Sequence, residues 1–191
     1  FNPVKGMERV AAAWAADPLI HSRYNLVLVG GDLVNPTQTE QTVLNAIDQV
    51  IPLESPLREG LVLLGGRPRA DVARLLVATV QGRVGFWSKG GLDVDGALKE
   101  EFGLALIEAM AAGLVVIAPS TGGPPTYVVH GDTGVLVDPG ADLAAGIRHG
   151  ISLVNLPGRV KRAQTLVEER YSIAAMASQL VSVYQAEPSY R

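Results

Sequence analysis

The sequence contains no cysteine and has few aromatic or charged residues, 5% and 18% respectively. Without cysteine the chain can form no disulfide, thiol nucleophile or cysteine-ligated zinc site. Its 16 basic and 19 acidic residues give a net charge of −3 and form no block of like charge, which argues against a dedicated nucleic-acid binder or a polybasic membrane binder. No apolar run reaches the roughly 18 residues that a membrane-spanning helix needs.

Apolar residues are abundant, at 48% of the 191 positions, which is enough for a hydrophobic core and excludes a mainly disordered chain. The length corresponds to one or two domains. The chain begins at Phe1 without an initiator methionine or a signal-peptide pattern. We therefore expect it to be part of a longer protein, cut close to a domain boundary.

Short apolar runs, two of them closed by glycine pairs, alternate with helical stretches. The predicted strands are 25–29, 61–64, 83–87, 114–118 and 135–137, and the predicted helices are 7–16, 39–51, 71–80, 102–112, 143–154, 157–169 and 173–185. A long polar loop is predicted over 88–100, and one helical turn over 126–129. This alternation predicts a Rossmann-like, doubly wound α/β fold with a parallel sheet of five or six strands and a helical C-terminal tail.

Ligands of such sheets bind beyond the carboxyl ends of the strands, which directs attention to the loops at 30–31, 65–66, 88–101 and 119–125. None of them carries the glycine motif of a dinucleotide site, a P-loop or a nucleophile elbow. The three histidines lack metal-ligand spacing. Asp93 and Asp95 have the spacing of an Asp-x-Asp metal motif, but we interpret them as solvated loop acids and predict no metal site.

The segment from Glu100 to Gly113 is the most informative. A helix starting at Phe102 presents unpaired N–H groups at its first turn, and Gly103 lets an anion such as a diphosphate approach them. Glu100 precedes the helix and Glu108 lies about two turns inside it, so both carboxylates could accept hydrogen bonds from sugar hydroxyls. The alternative is that Glu100 only caps the helix and Glu108 is a solvated surface residue.

The pattern EFGLALIEAMAAG after Glu100, followed by STGGP at 120–124 and GDTGVLVDP at 131–139, resembles the retaining, nucleotide-sugar-dependent glycosyltransferases of the GT-B fold, family 4 (group 1). NLVLVGGDL at 25–33 with Glu40 is similar to the sucrose synthase and sucrose-phosphate synthase branch. The resemblance runs from about 1 to 186. It implies a donor-binding domain at 1–170 and a crossover helix and tail at 171–191, with the N-terminal acceptor domain absent.

The resemblance also implies individual roles. Lys5 would steady the leaving diphosphate, Glu100 would contact the donor sugar, and Glu108 would hold the ribose hydroxyls. The backbone of Phe102, Gly103 and Leu104 would surround the sugar and phosphate. Gly30 and Gly31 would line the cleft, and the nucleobase of the donor would lie near 64–69. Departures from the family are Glu101, which adds a negative charge beside the proposed phosphate site, Thr126, which replaces an acidic residue, and Val115, which replaces a proline.

The implied activity is transfer of a hexose, which we expect to be glucose from UDP-glucose, to a sugar or sugar-phosphate acceptor in the cytoplasm, with no metal or other cofactor and no nucleic-acid partner. The isolated chain is expected to be inactive. Two alternatives remain: an inactive nucleotide-sugar sensor of the same fold, or a GT-B epimerase or phosphorylase. The apolar strip of the last helix, Met176, Leu180, Val181 and Tyr184, is expected to need a partner surface, namely the absent domain.

Overall fold

The structure, a computed structural model, describes residues 1–80 and 92–185, with the backbone alone for Leu92 and Asp93. The strands are β1 (Leu26–Val29), β2 (Leu61–Gly65), β3 (Leu92–Val94), β4 (Val115–Pro119) and β5 (Gly134–Val137). The helices are α1 (Met7–Ala16), α2 (Pro18–His21), α3 (Gln38–Val50), α4 (Arg69–Val80), α5 (Leu104–Ala112), α6 (Leu143–Leu153), α7 (Arg159–Tyr171) and α8 (Ile173–Gln185). Short 3-10 helices span Pro3–Lys5, Pro56–Gly60 and Pro124–Thr126.

Every strand pair in the described ranges is parallel. β1 pairs with β2, and β4 lies between β3 and β5 in a second ladder. Parallel neighbours require crossover connections, and helices provide these between successive strands. The predicted α/β class with parallel strands is therefore confirmed, although the described strands form two ladders of two and three strands.

β4 shows that helices cover both faces of the sheet. All five of its residues are buried. Val115 and Ile117 belong to a core that also includes apolar residues of α1, α3 and α6, whereas Val116 and Ala118 belong to a second core with α5 and α7. Because side chains alternate across a strand, this division between two cores is the packing of a doubly wound sheet.

Several predicted boundaries were wrong. Residues 92–94 form β3 rather than part of a loop, because the backbone pairs with β4 even though the sequence around it is polar and glycine-rich. α1 does end at Asp17, but the Asp17 side chain accepts a bond from Leu19 N and thereby starts the one-turn helix α2. α7 starts at Arg159, after Gly158, and runs on to Tyr171. The predicted strand at 83–87 lies outside the described residues.

The turn predicted over 126–129 instead occurs as the 3-10 helix Pro124–Thr126. α8 matches its predicted range and has no buried residue among those described. Met176, Leu180, Val181 and Tyr184 are all more than half exposed, so this chain does not cover the strip with its own core. No helix in the described part of the chain combines the length and apolarity needed to cross a membrane.

A close backbone contact brings the N-terminal segment to the edge of the sheet. A Cβ placed on Gly6 would lie 2.0 Å from the carbonyl oxygen of Gly96, and one on Gly96 would lie 2.1 Å from that of Gly6. Arg9 strengthens the contact, since its Nη1 donates to the Gly96 carbonyl at 2.6 Å. Only residues without side chains allow two main-chain segments to come this close.

We predict that Gly6→Ala destabilises the fold more than Gly140→Ala does. Both glycines have positive φ, 63° and 84°, so each substitution strains the backbone by about 1–2 kcal/mol. A Cβ on Gly140 meets nothing within 4 Å, whereas one on Gly6 collides with Gly96. We expect the free energy of unfolding, measured by urea denaturation, to fall by about 1–3 kcal/mol more for Gly6→Ala. Equal losses of unfolding free energy in the two variants would show that the contact between Gly6 and Gly96 does not require glycine.

Candidate functional site

The candidate site is assembled where the parallel strands end. β1 leads into Gly30 and Gly31, and β2 leads into Gly66. These two turns are bonded to each other, because Gly30 N donates to Gly65 O at 2.8 Å and Gly66 N donates to Gly31 O at 2.6 Å. The structure therefore joins the glycine loops that the sequence assigned to the cleft, at the carboxyl ends where α/β sheets bind ligands.

Glu40 holds the loop that follows Gly31. Its Oε1 accepts from Asp32 N at 3.1 Å and its Oε2 accepts from Thr37 N at 2.8 Å, while Thr37 caps α3. These hydrogen bonds, chiefly those from Thr37, lower the pKa of Glu40 to about 2. The carboxylate is thus a structural anchor of the β1 loop, at one side of the glycine turn.

Lys5 and Glu100 meet although 95 residues separate them in the sequence. Lys5 ends the 3-10 helix Pro3–Lys5, and the contact between Gly6 and Gly96 brings that helix to the loop after β3. The Lys5 Nζ lies 2.5 Å from Glu100 Oε2, and the two side chains are 54% and 13% exposed. The structure therefore pairs the two residues that the resemblance assigned to the leaving diphosphate and to the donor sugar.

Each partner of this ion pair stabilises the charge of the other. Burial raises the pKa of Glu100, but the hydrogen bond and charge of Lys5 outweigh it, so the pKa lies below its ordinary value. The same hydrogen bond raises the pKa of Lys5. An ammonium has three N–H donors, so Lys5 can also bind an anion while it holds Glu100.

The main chain of Glu100 is clamped by the loop after β4. Gly123 N donates to Glu100 O at 2.8 Å, and the Thr121 hydroxyl donates to Leu98 O at 2.7 Å. Gly122 passes so close that a Cβ there would lie 1.9 Å from Glu100 O. Residues 98–100 and 121–123, from two of the predicted loops, are thus bonded together and support the Glu100 carboxylate.

α5 begins at Leu104, two residues later than predicted, because Gly103 adopts a left-handed φ of 83° and serves as the N-cap. Phe102 and Gly103 therefore precede the helix, and Glu108 lies about one turn inside it rather than two. Tyr127 fixes this start by donating from its hydroxyl to Phe102 O at 2.5 Å. Gly103 has no side chain to cap α5, and Leu104 at the first turn is 66% exposed. The N-cap thus leaves the backbone N–H groups of that turn without a side-chain hydrogen bond, and such groups at the start of a helix can bind an anion.

Glu108 is paired with a residue that the sequence reasoning did not single out. Arg69 Nη2 lies 2.5 Å from Glu108 Oε1, and the side chains are 85% and 38% exposed. Arg69 is the first residue of α4, just beyond the Gly65–Gly66 turn. The segment 64–69, which we expected to lie near the nucleobase of the donor, therefore contacts Glu108 through Arg69. The sequence did contain a signal for Arg69, namely a basic residue shortly after the glycine pair that closes a predicted strand.

The acidic residues near the site are also potential metal ligands within the described part of the chain. Within residues 1–80 and 92–185, no group of three or more potential ligands is arranged to hold a metal ion. Asp95 accepts from Ala97 N at 2.9 Å, and burial raises its pKa, so it is not the solvated loop acid that we expected. Glu101 is exposed and pairs with Lys99 at 2.7 Å, which partly neutralises the charge that this departure adds. Thr126 donates to Gly123 O and supports the turn.

The chain is a doubly wound α/β domain. At the carboxyl edge of its sheet lie the start of α5 and two ion pairs, Lys5–Glu100 and Arg69–Glu108. Comparison with known proteins finds one matching family and several similar proteins. Residues 88–167 match the family described as glycosyl transferases group 1. The chain is 32% identical over 143 residues to the sucrose synthase of Nitrosomonas europaea, covering 73% of this chain and 17% of that protein. It is 30% identical over 191 residues to the D-inositol 3-phosphate glycosyltransferase of Corynebacterium efficiens, covering 96% and 40%.

A solved structure has the same architecture. The crystal structure of Anabaena HepE in complex with UDP superposes with a TM-score of 0.73 at 24% identity, covering 96% of this chain and 46% of that one. Residues 88–167 thus match the group 1 glycosyltransferases, and the chain has the Rossmann-like fold of a GT-B domain, as the resemblance implied. It spans less than half the length of each of these relatives.

Glu40 should give the stability a measurable dependence on acid pH. Its pKa is lowered from 4.5 to about 2 in the folded chain, so the ionised carboxylate stabilises the fold above about pH 4.5. That contribution is lost as the pH falls from about 4.5 to about 2. We expect Glu40→Gln to flatten the decline of the free energy of unfolding over this window, measured by urea denaturation at several pH values. The control is Glu59→Gln, which changes an exposed glutamate of the 3-10 helix Pro56–Gly60. If the two variants had the same pH profile of stability, the role of Glu40 as the anchor of the β1 loop would be contradicted.

Proposed function

We propose that this chain binds the donor of a retaining glycosyltransferase that transfers a hexose from a nucleoside diphosphate sugar. The observation that carries the proposal is the Lys5–Glu100 ion pair, placed beside the exposed start of α5 at the carboxyl edge of the sheet. We infer glucose as the hexose and UDP as the nucleotide. UDP is the ligand in the HepE crystal structure, and sucrose synthase is among the relatives.

The charges of the site suit departure of a diphosphate. Breaking the bond between sugar and phosphate leaves negative charge on the diphosphate, which the Lys5 ammonium and the N–H groups of α5 can stabilise where it develops. These groups are held in place before the donor binds, so little reorganisation is needed. We propose that they supply the positive charge at this step, without a metal cofactor.

Glu100 and Glu108 would recognise the two sugars of the donor. The Lys5 charge keeps Glu100 ionised, so its carboxylate accepts hydrogen bonds from hydroxyls of the transferred hexose. Glu108, one turn inside α5, would accept from the ribose hydroxyls. The acceptor is proposed to be a sugar or sugar phosphate, bound by a domain outside this chain. Exclusion of water normally requires such closure, so the chain alone is expected to turn over donor poorly.

Calorimetric titration with UDP, ADP and GDP tests the donor site. We expect one of them to bind saturably, with Glu108→Gln weakening the affinity about 10-fold because a charge-assisted hydrogen bond is lost. Lys5→Met should weaken binding of the diphosphate by a similar factor but leave binding of the matching nucleoside unchanged, since Lys5 acts on phosphate.

Lys161→Met is the matched control for Lys5→Met. It removes an exposed lysine from α7, far from the glycine loops in the sequence, and should leave all affinities unchanged. Failure of UDP, ADP and GDP to bind at millimolar concentration would contradict the donor site. Equal losses for the diphosphate and the nucleoside in Lys5→Met would contradict the role given to Lys5.

A further inference from the structure

Arg69 of α4 and Glu108 of α5 form an ion pair between two helices that pack against each other. Arg69 Nη2 contacts Glu108 Oε1 at 2.5 Å, and among the described residues the second oxygen, Oε2, has no hydrogen-bond partner. The Arg69 side chain is 85% exposed and that of Glu108 is 38% exposed. The pair therefore lies at a surface that a ligand can reach, with one carboxylate oxygen held and the other open.

The exposure of both side chains predicts that this ion pair adds little to the free energy of unfolding. An exposed pair contributes little to stability, because water screens the attraction and two long side chains lose conformational freedom. α4 and α5 also pack through apolar residues, with Leu76 and Val80 of α4 against the core that contains α5. The main effect of the ion pair is therefore on the orientation of the Glu108 carboxylate, one oxygen of which is held by Arg69.

The backbone of Arg69 is held firmly enough to act as an anchor. Pro68 O accepts from Asp71 N at 2.9 Å and from Val72 N at 3.1 Å, which fixes the first turn of α4. The preceding glycine turn is bonded to the β1 loop through Gly66 N and Gly31 O. The guanidinium thus extends from the same support that forms the cleft, and its planar array of donors can fix the direction of a carboxylate.

We propose that Arg69 positions the Glu108 carboxylate for the ribose of the donor nucleotide and thereby makes the site select ribonucleotides. This inference rests on the proposed donor site. The guanidinium occupies Oε1, so Oε2 is left to accept from the ribose hydroxyls. Arg69 is a positioning residue in this arrangement, because it acts through Glu108.

The test measures the preference for ribose. Affinities of the wild-type chain for UDP, ADP and GDP are compared with those for the 2′,3′-dideoxy forms, and we expect the nucleotide that binds to lose about 10-fold affinity without its hydroxyls. In Arg69→Met this preference should fall to about 2-fold, as it should in Glu108→Gln. In the double variant, Arg69→Met should cause no further loss, since its effect passes through Glu108.

The matched control is Arg74→Met. Arg74 is also an exposed arginine of α4 in an ion pair, 2.8 Å from Asp71, but it does not contact Glu108. It should keep the full preference for ribose. An unchanged preference in Arg69→Met, or an additive loss in the double variant, would overturn the role of Arg69 while the donor site stands. If the wild-type chain binds no nucleotide, the proposed function fails and this inference fails with it.

Discussion

The approach of Gly6 to Gly96 is the constraint on which the rest of the site depends. Two main-chain segments from distant parts of the sequence come within a distance that no Cβ would allow. This contact carries Lys5 to Glu100, and the loop after β4 then clamps the Glu100 backbone from the other side. The ion pair is therefore a product of close backbone packing, since its exposed lysine could not hold the segments together by charge alone.

Glu100 and Glu108 illustrate how two identical side chains acquire different surroundings in the folded chain. Glu100 is 13% exposed and pairs with Lys5, whereas Glu108 is 38% exposed and pairs with Arg69. Each carboxylate has its own cation, and Glu101 has Lys99. These three carboxylates are each paired with a cation, which is compatible with an anionic ligand at the start of α5.

Much of the fold was predictable because local signals agreed with packing. α1 and α8 match their predicted ranges, and β1, β2, β4 and β5 lie where short apolar runs indicated strands. β3 was missed because its pairing with β4 is non-local and the sequence around it is polar and glycine-rich. The start of α5 was misplaced because the left-handed Gly103 ends the preceding loop, and a glycine within a helical pattern does not by itself reveal its φ.

By itself, the sequence determined the α/β class, the loops at the carboxyl edge, the family resemblance and the residues proposed for the site. Periodicity and short motifs encode these features, because each depends on neighbouring residues. Only the tertiary structure decided the partners: Lys5 with Glu100, Arg69 with Glu108, and Tyr127 with the backbone before α5. These contacts join residues 95, 39 and 25 positions apart, and their distances follow from how crossovers and glycine contacts fold the chain back on itself.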